Sequence, residues 1–197
     1  ISAALTKKLL DNFPQWEVIF FSAITCLVFS LVLILIKGIN NFKVKNIPKQ
    51  FLRVFAMAFA FIIYVFSIKN LFIVEVIAIY NFAPVLSTIL AILFLREKFN
   101  ILRFTAVLMG FIGVLIVIKP GGNLFTTLSL LPVLGALFLA IAYVTTRSIM
   151  KHDNVYATVF YYSLGVLILS LFFFPKDFVQ PSFNFLILLI ATGFLSL

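Results

Sequence analysis

An all-α protein that crosses a membrane several times is the fold class this sequence predicts, and three observations predict it. Of the 197 residues, 64% are hydrophobic and only 11% charged, against about 45–50% and about 25% in soluble domains. The mean hydropathy is +1.24. Finally, the few charges cut the chain into uncharged windows of 19 to 27 residues, bounded by Glu17 and Lys37, Glu75 and Arg96, Lys119 and Arg147, and Asp153 and Lys176, with a last window from Phe178 to Leu197. An α-helix needs roughly 20 residues to cross the hydrocarbon core. A lipid-facing strand would alternate apolar with polar residues, and Leu27–Ile36 and Leu167–Phe174 do not.

Taken in order, Ile1–Leu10, with Lys7, Lys8 and Asp11 behind a short apolar lead, reads as the end of an earlier span, with an interfacial amphipathic helix as the other reading. It lacks the pattern of a cleavable signal. Spans are then expected to start near Val18, Val54, Val76, Phe104 and Thr126, followed by one in Asp153–Lys176 and one reaching Leu197. Val54–Ile68 and Phe104–Ile118 hold only 15 uncharged residues each; Arg53, Lys69, Arg103 and Lys119 at their ends extend them by snorkelling. Pro84 lacks the N–H that would bond the carbonyl of residue 80, so the span Val76–Leu95 should kink near its middle.

Basic residues orient the chain. Alternate loops carry ten Lys or Arg on one side (Lys37, Lys43, Lys45, Lys49, Arg53, Arg96, Lys98, Arg103, Arg147, Lys151) and five on the other. Basic loops stay cytoplasmic. Most of the formal +9 is thus a topology signal with some attraction to anionic headgroups, and nucleic-acid binding, which needs a water-exposed basic face with stacking aromatics, is excluded.

Thr6–Leu31 aligns without gaps on Thr146–Leu171, an offset of 140 residues that pairs Thr6 with Thr146, Lys7 with Arg147, and Ser30 with Ser170. Five expected spans separate the copies. The second copy therefore enters from the opposite face, and inverted repeats are a hallmark of secondary transporters that alternate access around a midplane site.

The block Arg53–Pro120 resembles the repeated domain of the EamA-type drug/metabolite transporter superfamily. The resemblance lies in mid-helix Pro84, the Leu95-Arg96-Glu97-Lys98 step, Gly110 and Gly113 in the next helix, and Lys119-Pro120-Gly121 at its outer end. It implies ten helices in two inverted five-helix repeats with both termini cytoplasmic. Residues 1–120 would be the first repeat from the end of helix one, and 121–197 the start of the second, cut within helix eight. Phe111-Ile112-Gly113-Val114 with Lys119-Pro120, and the spacing to Arg147 and Lys151, are similar to bacterial S-adenosylmethionine uptake carriers. That likeness implies a bacterial inner (plasma) membrane, with S-adenosylmethionine a candidate substrate.

Candidate pathway residues follow from chemistry. Tyr80, Asn81 and the carbonyl freed by Pro84 sit together at mid-depth, and Asn81, an amide deep in a span, should face the bundle interior or a cavity. Glu75 could titrate with a coupled proton or bind a cationic group; equally, it suits the start of a helix with Lys69 nearby. Tyr64, Tyr143, Tyr161 and Tyr162 could stack on an aromatic or sulfonium-bearing substrate. Ala106, Gly110 and Gly113 form a small-residue stripe suited to helix packing. Lone His152 and lone Cys26 form no metal-ligand or nucleophile constellation, so no enzyme activity, metal or cofactor is expected. The function expected is secondary transport of an amino-acid-like or nucleoside-like metabolite, with a proton the candidate coupling ion. An uncoupled channel-like facilitator and a non-transporting scaffold are the alternatives. Oligomeric state is not encoded in these patterns.

Overall fold

The structure, a computed structural model, describes residues 2–95, 101–118, 127–150, 153–173 and 179–195. The regular structure among them is all helix, joined by short turns, with no strand among the described residues. The helices are α1 (Ser2–Leu10), α2 (Gln15–Lys37), α3 (Ile47–Asn70), α4 (Ile73–Tyr80), α5 (Ala83–Leu95), α6 (Ile101–Ile118), α7 (Leu130–Ile149), α8 (Val155–Phe172) and α9 (Phe183–Leu195). Five segments among the described residues are long and apolar enough to span a membrane: α2, α3, α4 with α5, α7 and α8. Helices α6 and α9 occupy the two remaining expected windows. The Arg96-Glu97-Lys98 step and Lys119-Pro120-Gly121 lie outside the described residues, as does His152.

Local chemistry sets the boundaries. Pro14 precedes α2, and Gly38, at φ +104°, ends it in a conformation that a Cβ would disfavour. Asn46 accepts a hydrogen bond from the Lys49 N–H at the start of α3, with Pro48 in the first turn. Asn154 does the same for Tyr156 at the start of α8. Both are N-cap geometries that satisfy an otherwise orphan donor. The break expected from Pro84 falls at Asn81–Phe82, which splits this span into α4 and α5.

Helix α3 packs on α7 and α8, α2 on α8 and α9, α5 on α7, and α1 on α9. The buried core runs through Leu9, Ile19, Val65, Ile68, Val76, Val166 and Leu189. Two positions 140 residues apart make the same local bond: buried Ser30 donates to the Leu27 carbonyl at 2.9 Å and buried Ser170 to the Leu167 carbonyl at 2.8 Å.

The structure departs from expectation at Arg53. Instead of snorkelling to the interface, Arg53 is only 6% exposed. Its Nε donates to Thr146 Oγ1 at 2.8 Å and its Nη1 to the Thr158 carbonyl at 2.9 Å. Neighbouring helices offer acceptors closer than water, so the side chain turns inward.

Candidate functional site

A cavity of about 160 Å³ opens between α1, α2, α3 and α9, lined by Thr6, Val18, Ser22, Phe61, Tyr64, Val65 and Thr192. Ser22 lies seven residues into α2, about 10 Å along its axis at 1.5 Å per residue. On the orientation read from the charges, the cavity therefore occupies the outer half of the bundle. A narrow void of about 10 Å³ lined by Ser22, Cys26, Phe61, Tyr162 and Ser163 continues from it at mid-depth. That neck has room for a single water at most, since about 10–15 Å³ is what one water requires. Below the neck, toward the cytoplasm, lies Arg53.

The cavity walls are neutral hydroxyls and aromatic rings. Thr192 donates to the Leu189 carbonyl at 2.8 Å, keeping its oxygen as an acceptor. Among the described residues the Tyr64 hydroxyl has no hydrogen-bond partner, and its ring meets Tyr80 edge to face at 5.1 Å. Tyr80 is held in turn: its hydroxyl donates to the Ala60 carbonyl at 2.7 Å. Gly135 of α7 leaves the room, since a Cβ there would fall 1.9 Å from the Tyr80 hydroxyl. Drug-sized ligand pockets measure roughly 300–1,000 Å³, so this space takes one polar or aromatic group of a metabolite.

A larger void, about 400 Å³, lies at the N-terminal halves of α3 and α8, lined by Ile47, Gln50, Phe51, Val54, Tyr161, Leu164 and Gly165. Its walls are apolar apart from Gln50 and Tyr161, and Ile47 and Phe51 are each 73% exposed. It is a lateral groove. The smaller cavity has the hydroxyl lining and the enclosure that a polar solute needs.

The residues singled out from sequence separate accordingly. Tyr64 lines the cavity and Tyr80 braces it. Asn81 and Pro84 lie on the exposed side of the α4–α5 break, outside the cavity, so the interior placement expected of Asn81 is not what the described residues show. Tyr143 is 38% exposed on α7. Tyr161 belongs to the lateral groove and donates to the Phe42 carbonyl at 3.2 Å. A Cβ at Gly110 would meet open space, so no close approach occurs there; the side chains at Ala106 and Gly113 lie outside the described residues. Glu75 is buried, accepts a hydrogen bond from the Ser129 hydroxyl rather than pairing with Lys69, and has its Oε2 without a partner.

Sequence reasoning missed three features. Glu17, which served only to bound a window, is fully buried in the first turn of α2; its Oε1 accepts from the Val179 N–H at 3.0 Å and its Oε2 has no partner among the described residues. A carboxylate in the first turn of a span was the available signal, because the helix N-terminus stabilises it there. The small hydroxyls Ser22 and Thr192 looked like packing residues. Arg53 looked like an interfacial anchor. No group of His, Cys, Asp or Glu that could hold a metal ion occurs among the described residues.

Residues 1–119 match the EamA-like transporter family. Among similar proteins, a riboflavin transporter of Brucella anthropi is 28% identical over 141 residues, covering 72% of this chain and 50% of its own length. An S-adenosylmethionine uptake transporter of Rickettsia conorii is 23% identical over 189 residues, or 96% of this chain and 64% of its own. A pseudopaline exporter of Pseudomonas aeruginosa is 23% identical over 180 residues, 91% of this chain and 63% of its own. The chain thus spans about half to two-thirds of the length of these relatives. No solved structure matches.

Proposed function

The chain belongs to the EamA-like transporter family, and from that premise we propose that it carries a small organic metabolite across the membrane by alternating access between two inverted halves. The observation that carries this reading is the hydroxyl-and-aromatic cavity, walled by α1, α2 and α3 on one side and α9 on the other, narrowing at mid-depth to a void with room for a single water at most. A solute site near the midplane, at the contact of two halves, is the arrangement that rocking transporters use. The shared side-chain bonds of Ser30 and Ser170 support the 140-residue equivalence behind it.

The substrate is a metabolite with a flat heteroaromatic portion. Riboflavin and S-adenosylmethionine, the cargoes named for two of the relatives, each have one, and Phe61 and Tyr64 offer ring faces to receive it. S-adenosylmethionine adds a sulfonium cation, which aromatic faces also attract. The protein acts without a catalytic step, in the inner membrane of a bacterium. Glu75 and Glu17 are the candidate proton carriers, each a buried carboxylate with one oxygen unpartnered.

Uptake by the full-length protein in proteoliposomes, with and without an imposed proton gradient, tests this reading with labelled S-adenosylmethionine and riboflavin as first probes. Gradient-stimulated accumulation that is lost in Glu75→Gln supports coupled transport through Glu75. Flux that ignores the gradient, with Glu75→Gln harmless, favours the uncoupled facilitator, and no flux of any metabolite sinks the transporter reading.

A further inference from the structure

Arg53 is a buried cation held only by neutral acceptors. Its bonds run to the Thr146 hydroxyl and the Thr158 carbonyl, Tyr162 lies within electrostatic reach, and no carboxylate bonds it among the described residues. Charged side chains inside membrane proteins are costly and mark pathways. The residues around this one have a second meaning through the 140-residue offset. Thr146, Thr158 and Tyr162 correspond to Thr6, Val18 and Ser22, and all three of those line the outer cavity. Carried beyond the aligned stretch, the same offset sets Arg53 opposite Gly193, next to the cavity residue Thr192. On that equivalence the outer cavity is the image of the Arg53 site with the guanidinium taken away.

We propose that Arg53 is the cytoplasmic plug of the transport pathway and, once released from Thr146 and Thr158, the receptor for an acidic group on the substrate. The inference rests on the alternating-access reading and narrows its substrate class to metabolites bearing a carboxylate. With the plug in place the inner half of the site is filled and the outer half is open. Opening inward requires Arg53 to leave both acceptors. A carboxylate offers charge-assisted bonds in exchange, roughly twice as strong as neutral ones. A ligand moves such an equilibrium only by its differential affinity for the two states; a carboxylate supplies that difference and a neutral ring does not. The amino-acid end of S-adenosylmethionine fits this requirement, and riboflavin, which has no carboxylate, does not.

Cys26 lines the neck between the two half-sites and reports on both. The test uses the full-length protein with any other cysteine removed, in right-side-out and inside-out vesicles, labelled with a membrane-impermeant thiol reagent. Arg53→Gly, which copies Gly193, should raise labelling of Cys26 from the cytoplasmic side roughly tenfold, the factor for losing about one hydrogen bond to a charged group, and leave labelling from outside little changed. Should Arg53→Gly fail to fold, Thr146→Val, which removes only the Nε acceptor, should shift cytoplasmic labelling the same way by a smaller factor. Unchanged cytoplasmic labelling in folded variants overturns the plug. This readout needs no transport, so it stays separable from failure of the transporter reading. For the receptor, protection of Cys26 is measured with S-adenosylmethionine, amino acids and dicarboxylates against riboflavin and nucleosides. Protection by carboxylate-bearing compounds that is lost in Arg53→Gln and retained in Arg53→Lys upholds the role. Protection by neutral compounds alone, equal protection in Arg53→Gln, or none at all overturns it.

Discussion

Two helix contacts, the inner of α3 on α8 near Arg53 and the outer of α2 on α9 beside the small cavity, are packed differently. At the inner contact a Cβ on Gly165 would lie 2.4 Å from the Val54 Cγ1 methyl. At the outer contact a Cβ on Gly193 would lie 2.6 Å from Thr25 Cβ and 3.0 Å from the Ser22 carbonyl oxygen. The inner obstacle is a methyl group. The outer obstacles are fixed to backbone and cannot rotate away. The outer helices are thus in direct contact beside the cavity, whereas the inner helices are spaced by side chains and tied by Arg53 Nη1 to the Thr158 carbonyl at 2.9 Å and, just before α8, the Lys45 N–H to Asp153 Oδ1 at 2.8 Å, while Arg53 Nε and Lys49 Nζ hold α3 to Thr146 and Ser148 of α7.

The largest effect should come from erasing the difference. Ser22→Tyr gives the outer half-site the residue that the inner half has in Tyr162, and a phenol ring occupies most of a 160 Å³ cavity. Uptake should be lost while the protein still inserts and folds, as read by proteoliposome flux beside monodisperse gel filtration. Full activity in that variant would mean that the cavity is not on the pathway.

Next is Gly193→Ala. Overpacking a tight contact costs about 1–3 kcal/mol, and replacing a helical glycine by alanine recovers about 1 kcal/mol. The net destabilisation should reach up to about 2 kcal/mol, because the contacted atoms are fixed to backbone and place the overpacking cost at the upper end of its range, visible as a lowered Tm in detergent. An unchanged Tm would show that the two helices have slack.

These contrasts also show what the sequence could disclose. Span positions were legible because charges are sparse and expensive in hydrocarbon, so each bounded a window; the break at Pro84 was legible because a missing N–H acts locally. At Ser30 and Ser170, the polar positions that the sequence aligns at an offset of 140, the structure shows the same local bond. The facing of individual residues was not. In a helix apolar on all sides, bundle-facing and lipid-facing positions have the same chemistry, so periodicity could not turn Asn81 outward or Gly110 into open space. The burial of Glu17 and the inward turn of Arg53 depend on acceptors and donors contributed by residues more than 90 positions away, which no local pattern encodes. Of the expected site, only Tyr64 and its brace Tyr80 meet at the cavity.

A smaller effect is expected at the inner tie. Thr146→Val keeps the shape of the side chain and deletes one acceptor of Arg53, as well as the bond that Thr146 Oγ1 donates to the Ala142 carbonyl at 2.6 Å. Losing a hydrogen bond to a charged group costs about 1.5–3 kcal/mol when nothing replaces it. Here the Nη1 bond to Thr158 remains and the cytoplasm is near, so the expected loss is about 1 kcal/mol by thermal unfolding. A loss as large as that of Gly193→Ala would place the tighter constraint at the inner contact.

The smallest effect should be Gly165→Ala, and it is the sharpest test of the contrast. The new methyl requires Val54 to move, and valine in a helix strongly prefers one rotamer, so some cost is unavoidable. Val54 and Gly165 both line the lateral groove of about 400 Å³, however, so the displaced methyl has somewhere to go. The gain of about 1 kcal/mol from replacing a helical glycine then nearly cancels the strain, and stability should change by no more than about 0.5 kcal/mol. Measured side by side, Gly165→Ala should melt close to the parent protein and Gly193→Ala clearly below it. Equal losses would mean that the groove does not absorb the methyl and that both contacts are equally tight, which removes the physical basis for an inner seal made by side chains rather than by helix contact.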